Sequence, residues 1–233
     1  MRRISLLAGF LIAASSGVPA VAETLIWGIQ AEQLEMRRGE SNENVFAWDF
    51  DALVGTDELK LVWRSQAEVA TGTGAFETLE NQLRLQKPIS TFFDAVLGVR
   101  VDTPRGPDRT YGVVGIKGLA PQWFEIDADL YVSDNPVFRF EAEYEALITN
   151  RIILTPSIEI DLPFADDRPI AVGAWGPTIE VGARLSYDLV DRLISPYVGV
   201  HYERAFGETS DLRRAAGEDD STLSFVVGTR LIF

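Results

Sequence analysis

The sequence predicts an all-β protein, an antiparallel transmembrane β-barrel of about twelve strands. Three observations carry that prediction. Apolar and charged residues alternate with a two-residue period in segment after segment, the signature of strands with two chemically different faces. The segments run to about ten residues or more, longer than the usual five or six and long enough to cross a bilayer at a tilt. The connections between them tend to alternate between tight and long, as the two ends of an outer-membrane barrel do.

The elements follow in chain order. Arg2 and Arg3, the apolar run SLLAGFLIAA and the small-residue pattern Ala20-Val21-Ala22 predict a signal peptide over 1–22. That run is too short to span a bilayer as a helix, so the barrel is expected over 23–233. Strands are expected near 24–36, 44–55, 58–70, 75–87, 91–103, 109–119, 122–133, 136–148, 150–162, 176–188, 194–206 and 221–233. The pattern is clearest in FRFEAEYEAL, where Phe138, Phe140, Ala142 and Tyr144 oppose Arg139, Glu141, Glu143 and Glu145. It is faintest at 109–119, where glycines blur the two faces. Tight turns fall at 55–57, 87–90, 118–121 and 147–150, and long loops at 37–44, 103–109, 163–177 and 206–221. The last strand stops on Phe233, in the manner of the terminal signal read by the barrel-assembly machinery of Gram-negative outer membranes.

In such a barrel the aromatic parity faces lipid and the charged parity faces a wet lumen, because carboxylates against hydrocarbon would each cost free energy. A soluble sandwich with one wet face would also alternate, but would not place Trp, Phe and Tyr toward water on strands of this length. The expected lumen is rich in acids, with Asp49, Asp51, Glu68, Glu159 and Glu180 among them, and poorer in bases such as Arg64, Arg84, Arg139 and Arg230. Its densest acidic group lies on adjacent strands: Glu125, Asp127 and Asp129 beside Glu141, Glu143 and Glu145. Like charges across a strand pair repel, so arginines intervene, carboxyls stay protonated, or a cation sits there.

Composition narrows the function. Loss of Arg2 and Arg3 with the signal takes the formal net charge from -14 to -16, the wrong sign for a nucleic-acid partner. It suits a cation or a solvated surface. With no cysteine, disulfides and thiolate metal sites are excluded. His201 is the single histidine; it stands in YVGVHYER with no serine beside it, so the protein is not expected to be an enzyme. If a metal binds, the candidate ligands are Asp127, Asp129, Glu141, Glu143, Glu145 and His201.

Several stretches are similar to one known family. GIQAEQLEMR (28–37), WDFDALVGTDELKLVWRSQAE (48–68), GLAP (118–121), EAEYEALITNRIILTP (141–156) and SPYVGVHYERAFGETSDLRRAAGED (195–219) resemble the copper resistance protein B family, in its order and over nearly all of the chain. The resemblance implies a barrel in the cell outer membrane that binds or conducts copper, with membrane lipids and the barrel-assembly machinery as partners. Members commonly carry a Met- and His-rich segment ahead of the barrel; between Ala22 and TLIWGIQAEQ there is none, which leaves Met36 and His201 as softer donors. The alternative expectation is a small cation-selective or structural porin without copper specificity.

Overall fold

The computed structural model describes residues 24–39, 44–104, 106–190 and 192–233. The expected signal peptide over 1–22 lies outside them.

The chain forms β1 (Ile26–Gly39), β2 (Asn44–Gly55), β3 (Lys60–Ala70), β4 (Ala75–Pro88), β5 (Phe93–Asp102), β6 (Arg109–Ala120), β7 (Phe124–Val132), β8 (Val137–Tyr144), β9 (Ala146–Leu147), β10 (Ile152–Pro163), β11 (Thr178–Tyr187), β12 (Ile194–Ala205), α1 (Gly207–Ala216) and β13 (Ser221–Ile232). The short β9 continues β8 past a break at Glu145, and both pair with β10, so the wall has twelve antiparallel strands. Each strand pairs with its sequence neighbour, and β13 pairs with β1 to close the barrel. The seam is pinned where Ile29 and Phe233 exchange backbone hydrogen bonds of 3.0 and 2.8 Å.

Burial is inside out relative to a soluble protein. Trp27 and Phe225 are 68% and 69% exposed on the outer wall, whereas Arg84 is 0% exposed within. A closed barrel satisfies this pattern in lipid, since every strand finds a partner and no edge is left unpaired. Near the end that carries both termini, Trp27, Phe92, Trp123 and Phe233 stand exposed, as an interfacial aromatic girdle does.

Three of the tight turns at that end share one device. The hydroxyls of Thr56, Ser90 and Thr149 each accept hydrogen bonds from the backbone N–H groups two and three residues on. Such local bonding lets Ser and Thr close a hairpin without a long loop. At the opposite end, the 164–177 loop and α1 pack together: Thr209 donates its hydroxyl to the Gly176 carbonyl at 2.6 Å and accepts from Gly173 N–H at 3.0 Å.

The glycines that blurred 109–119 have a spatial reason. A Cβ on Gly115 would stand 1.9 Å from Asp129 Oδ1, so the missing side chain makes room for a lumen carboxylate on β7. The parity of β1, by contrast, is not constant. A β-bulge between Ala31 and Leu34 adds one residue and reverses the faces beyond it. Glu35 and Arg37 therefore turn inward, and Met36, which an unbroken alternation would place beside Gln30 and Glu32, turns outward and is 43% exposed.

Candidate functional site

The lumen divides into a braced side and an open side. The braced side is built by β3 to β7. Arg84 on β4 reaches across to β7, with Nη2 3.0 Å from Asp127 Oδ1 and 2.8 Å from Asp129 Oδ2. Arg64 on β3 joins Asp51 and Asp127, each at 3.1 Å. Toward the loop end, Arg100 bridges Glu80 at 2.5 Å and Asp102 at 2.7 Å, and its guanidinium lies 4.3 Å from the Tyr131 ring centroid. Val96, Tyr111, Val113 and Tyr131 form a small apolar cluster there. Arg139 on β8 completes the bracing through Glu80 at 3.2 Å, Glu159 at 3.0 Å and Asp161 at 2.7 Å. Ion pairs of this kind are held by mutual geometry, and removing one partner strands the other in a dry interior.

The open side holds a cavity of about 460 Å³, and acids outnumber arginines and lysines two to one among the residues that line it. The strand register orders those acids. Asp127 on β7 pairs with Glu141 on β8, Glu141 with Glu159 on β10, Glu159 with Glu180 on β11, and Glu180 with Glu203 on β12. Five carboxylates thus occupy consecutive places in one row across five strands. Adjacent strands lie about 4.8 Å apart, so the row covers about 19 Å of wall. Glu203 stands two residues from the loop end of β12, while Asp127 sits near mid-strand, so the row descends into the barrel. A second row sets Glu125 opposite Glu143. Among the described residues no arginine or lysine comes within ion-pair distance of Asp49, Glu125, Glu141 or Glu143, although Gln66 donates to Asp49 at 3.0 Å.

The sequence-derived metal candidates fall into four places. Asp127 and Asp129 belong to the arginine bracing. Glu141 and Glu143 line the cavity. Glu145 lies at the break between β8 and β9 and is held by Arg230 on β13 at 2.5 Å and by Arg192 at 3.1 Å. His201 stands on the far wall, where its Nε2 is 3.4 Å from both Glu180 Oε2 and Arg37 Nη1. Among the described residues no three His or carboxylate side chains gather closely enough to hold a metal ion. Sequence reasoning missed Glu35 and Arg37, which the bulge brings inside. Glu35 accepts from Arg184 and from the Tyr197 hydroxyl, each at 2.9 Å, and Arg37 reaches Glu35 and Glu68.

The mouth at the loop end is partly covered. Arg213 of α1 reaches down to Glu203 at 2.5 Å. Arg109 clasps Asp167 of the 164–177 loop at 2.5 and 2.6 Å. Burial alone would raise the Asp167 carboxyl, but the hydrogen bonds from Arg109 and Asn135 and the Arg109 charge hold it below the usual carboxylate range.

Comparison with known proteins places this geometry. Residues 25–233 match the family model described as copper resistance protein B precursor. Copper resistance protein B of Escherichia coli is 34% identical over 204 residues, covering 87% of this chain and 68% of that protein. The copper resistance protein B homolog of Pseudomonas syringae pv. tomato (strain ATCC BAA-871 / DC3000) is 32% identical over 205 residues, with the same coverage. Among solved structures the NanC porin superposes with a TM-score of 0.56 at 13% identity, covering 88% of this chain and 99% of that one. That likeness concerns the fold.

Proposed function

The chain belongs to the copper resistance protein B family as a barrel of the outer membrane, and on that footing we propose that its lumen takes up copper ions at the loop end and conducts them along the open side. The carboxylate row from Glu203 to Asp127 carries the proposal. Like charges on directly opposed strand positions are unfavourable, and five in succession demand compensation. Arginine supplies it at Asp127, Glu159 and Glu203. At Glu141 and Glu180 no arginine or lysine comes within ion-pair distance among the described residues, and a passing cation is a counter-charge that fits there. An acidic cavity with low-dielectric walls concentrates such ions ahead of any specific contact. Mature protein in liposomes should admit copper faster than protein-free vesicles, and Glu141→Gln with Glu180→Gln should lower that rate several-fold; an unchanged rate would remove the row from the path.

The lack of a three-ligand group among the described residues favours a second reading, a cation-selective porin indifferent to copper. Single-channel recording separates the two. A general pore conducts K⁺ steadily in the presence of copper, whereas a copper path shows block or altered conductance as copper is added.

A further inference from the structure

We infer that the copper species this lumen passes is the hydrated divalent ion, handled through oxygen, and not the monovalent cuprous ion. The inference rests on the conduction reading above and concerns the form of the cargo. Its first support is where the softer donors stand. Cuprous copper is selected by thiolate and thioether sulfur, whereas oxygen donors suit harder, more highly charged ions. The chain has no cysteine, and the bulge in β1 turns the Met36 thioether onto the outer wall. The one imidazole, His201, is flanked at 3.4 Å by the Arg37 guanidinium, a fixed positive charge that opposes a cation at the same nitrogen.

The second support is the space. A cavity of about 460 Å³ far exceeds the roughly 10–15 Å³ that holds a single water on the same measure, ample for an ion that keeps its hydration shell. The third is the wall itself, where Glu141, Glu143 and Asp49 face that space without a direct cationic partner among the described residues, while no three converge into a chelating set. Dispersed carboxylates hold a hydrated ion at the outer sphere and release it, which conduction requires. A monovalent soft ion gains half the electrostatic attraction and, among the described residues that line the cavity, finds no sulfur to replace its solvent.

The test compares Cu(II) with Ag(I), a monovalent soft ion that stands in for the cuprous state without redox chemistry. Mature protein in liposomes is assayed for entry of each, as wild type, Met36→Leu and Glu141→Gln/Glu143→Gln. The expected result is Cu(II) entry about tenfold faster than Ag(I), in keeping with the concentration of a more highly charged ion in an acidic cleft. Met36→Leu leaves it unchanged and the glutamine pair lowers it, with each variant confirmed as folded by heat-modifiable gel mobility. Ag(I) entry equal to or faster than Cu(II), or Cu(II) entry that falls with Met36→Leu, overturns the inference and leaves copper conduction standing. Entry of neither ion above protein-free vesicles overturns the conduction reading and the inference with it.

Discussion

The walls formed by β3 to β7 and by β8 to β12 share one lumen and one alternation, yet they differ in what answers their carboxylates. On the first, Asp127 and Asp129 are each met by Arg64 or Arg84, and Arg64 also holds Asp51 of the neighbouring β2. On the second, Glu141 and Glu143 look into the cavity, and Glu180 stands 3.4 Å from His201 with no arginine or lysine at ion-pair distance among the described residues. The parity rule assigns both sets to the interior, but the placement of a few arginines decides which becomes structure and which stays available. The braced wall should govern stability and the open wall should govern traffic.

The largest break in that contrast is Arg84→Ala. Arg84 is fully buried and ties Asp127 and Asp129, so its loss leaves two interior carboxylates without it. Breaking one side of a buried ion pair costs about 3–5 kcal/mol. Urea unfolding of the detergent-folded protein should show a loss of that order, and a shift within error would mean that water replaces the guanidinium there. Next comes Gly115→Ala, whose Cβ would press on Asp129 Oδ1 and on the Ala128 carbonyl 2.6 Å away. Overpacking of this kind costs about 1–3 kcal/mol. The same assay should place this variant between wild type and Arg84→Ala.

The open wall should behave in the opposite sense. Glu141→Gln with Glu143→Gln removes like charge from positions opposed to Asp127 and Glu125, so stability should hold or rise slightly. Copper entry into liposomes should instead fall about tenfold, equivalent to about 1.4 kcal/mol. A destabilised barrel with normal entry would reverse the roles assigned to the two walls.

How much of this was legible in the sequence follows from what alternation encodes. Period two marks strands and faces, so all twelve wall strands, their approximate ends and the tight-turn end were readable, including 109–119 despite its glycines. Alternation is blind to register. That Glu141 meets Glu159 and that Glu159 meets Glu180 depends on hairpin geometry, so the row could not be read from spacing. Nor does it show an inserted residue. The bulge near Glu32 leaves no motif, and on it depend the inward Glu35 and Arg37 and the outward Met36. Arginine reach was the third gap. Arg84 and Asp127 lie 43 residues apart on non-adjacent strands, and a long flexible side chain joins them only once the barrel has closed.

The smallest expected effect lies at the mouth, outside both walls, and tests whether the cover belongs to either. Asp167 is held below the usual carboxylate range by Arg109 and Asn135, against the opposing effect of burial. A carboxyl whose folded-state pKa is depressed contributes stability that is fully present above its unfolded value of about 3.9 and is lost as pH falls through the lower folded value. The Arg109–Asp167 clasp should therefore persist at neutral pH and loosen only in strong acid. Hydrogen exchange should show the 164–177 loop opening as pH drops below about 4, with Asp167→Asn opening it already at neutral pH. The β8 to β12 wall should keep its protection through both changes, because its strand ladder does not depend on that clasp. If wall protection falls together with the loop, the cover is part of the barrel's cooperative unit, and the division between a stability wall and a traffic wall must be redrawn to include the mouth.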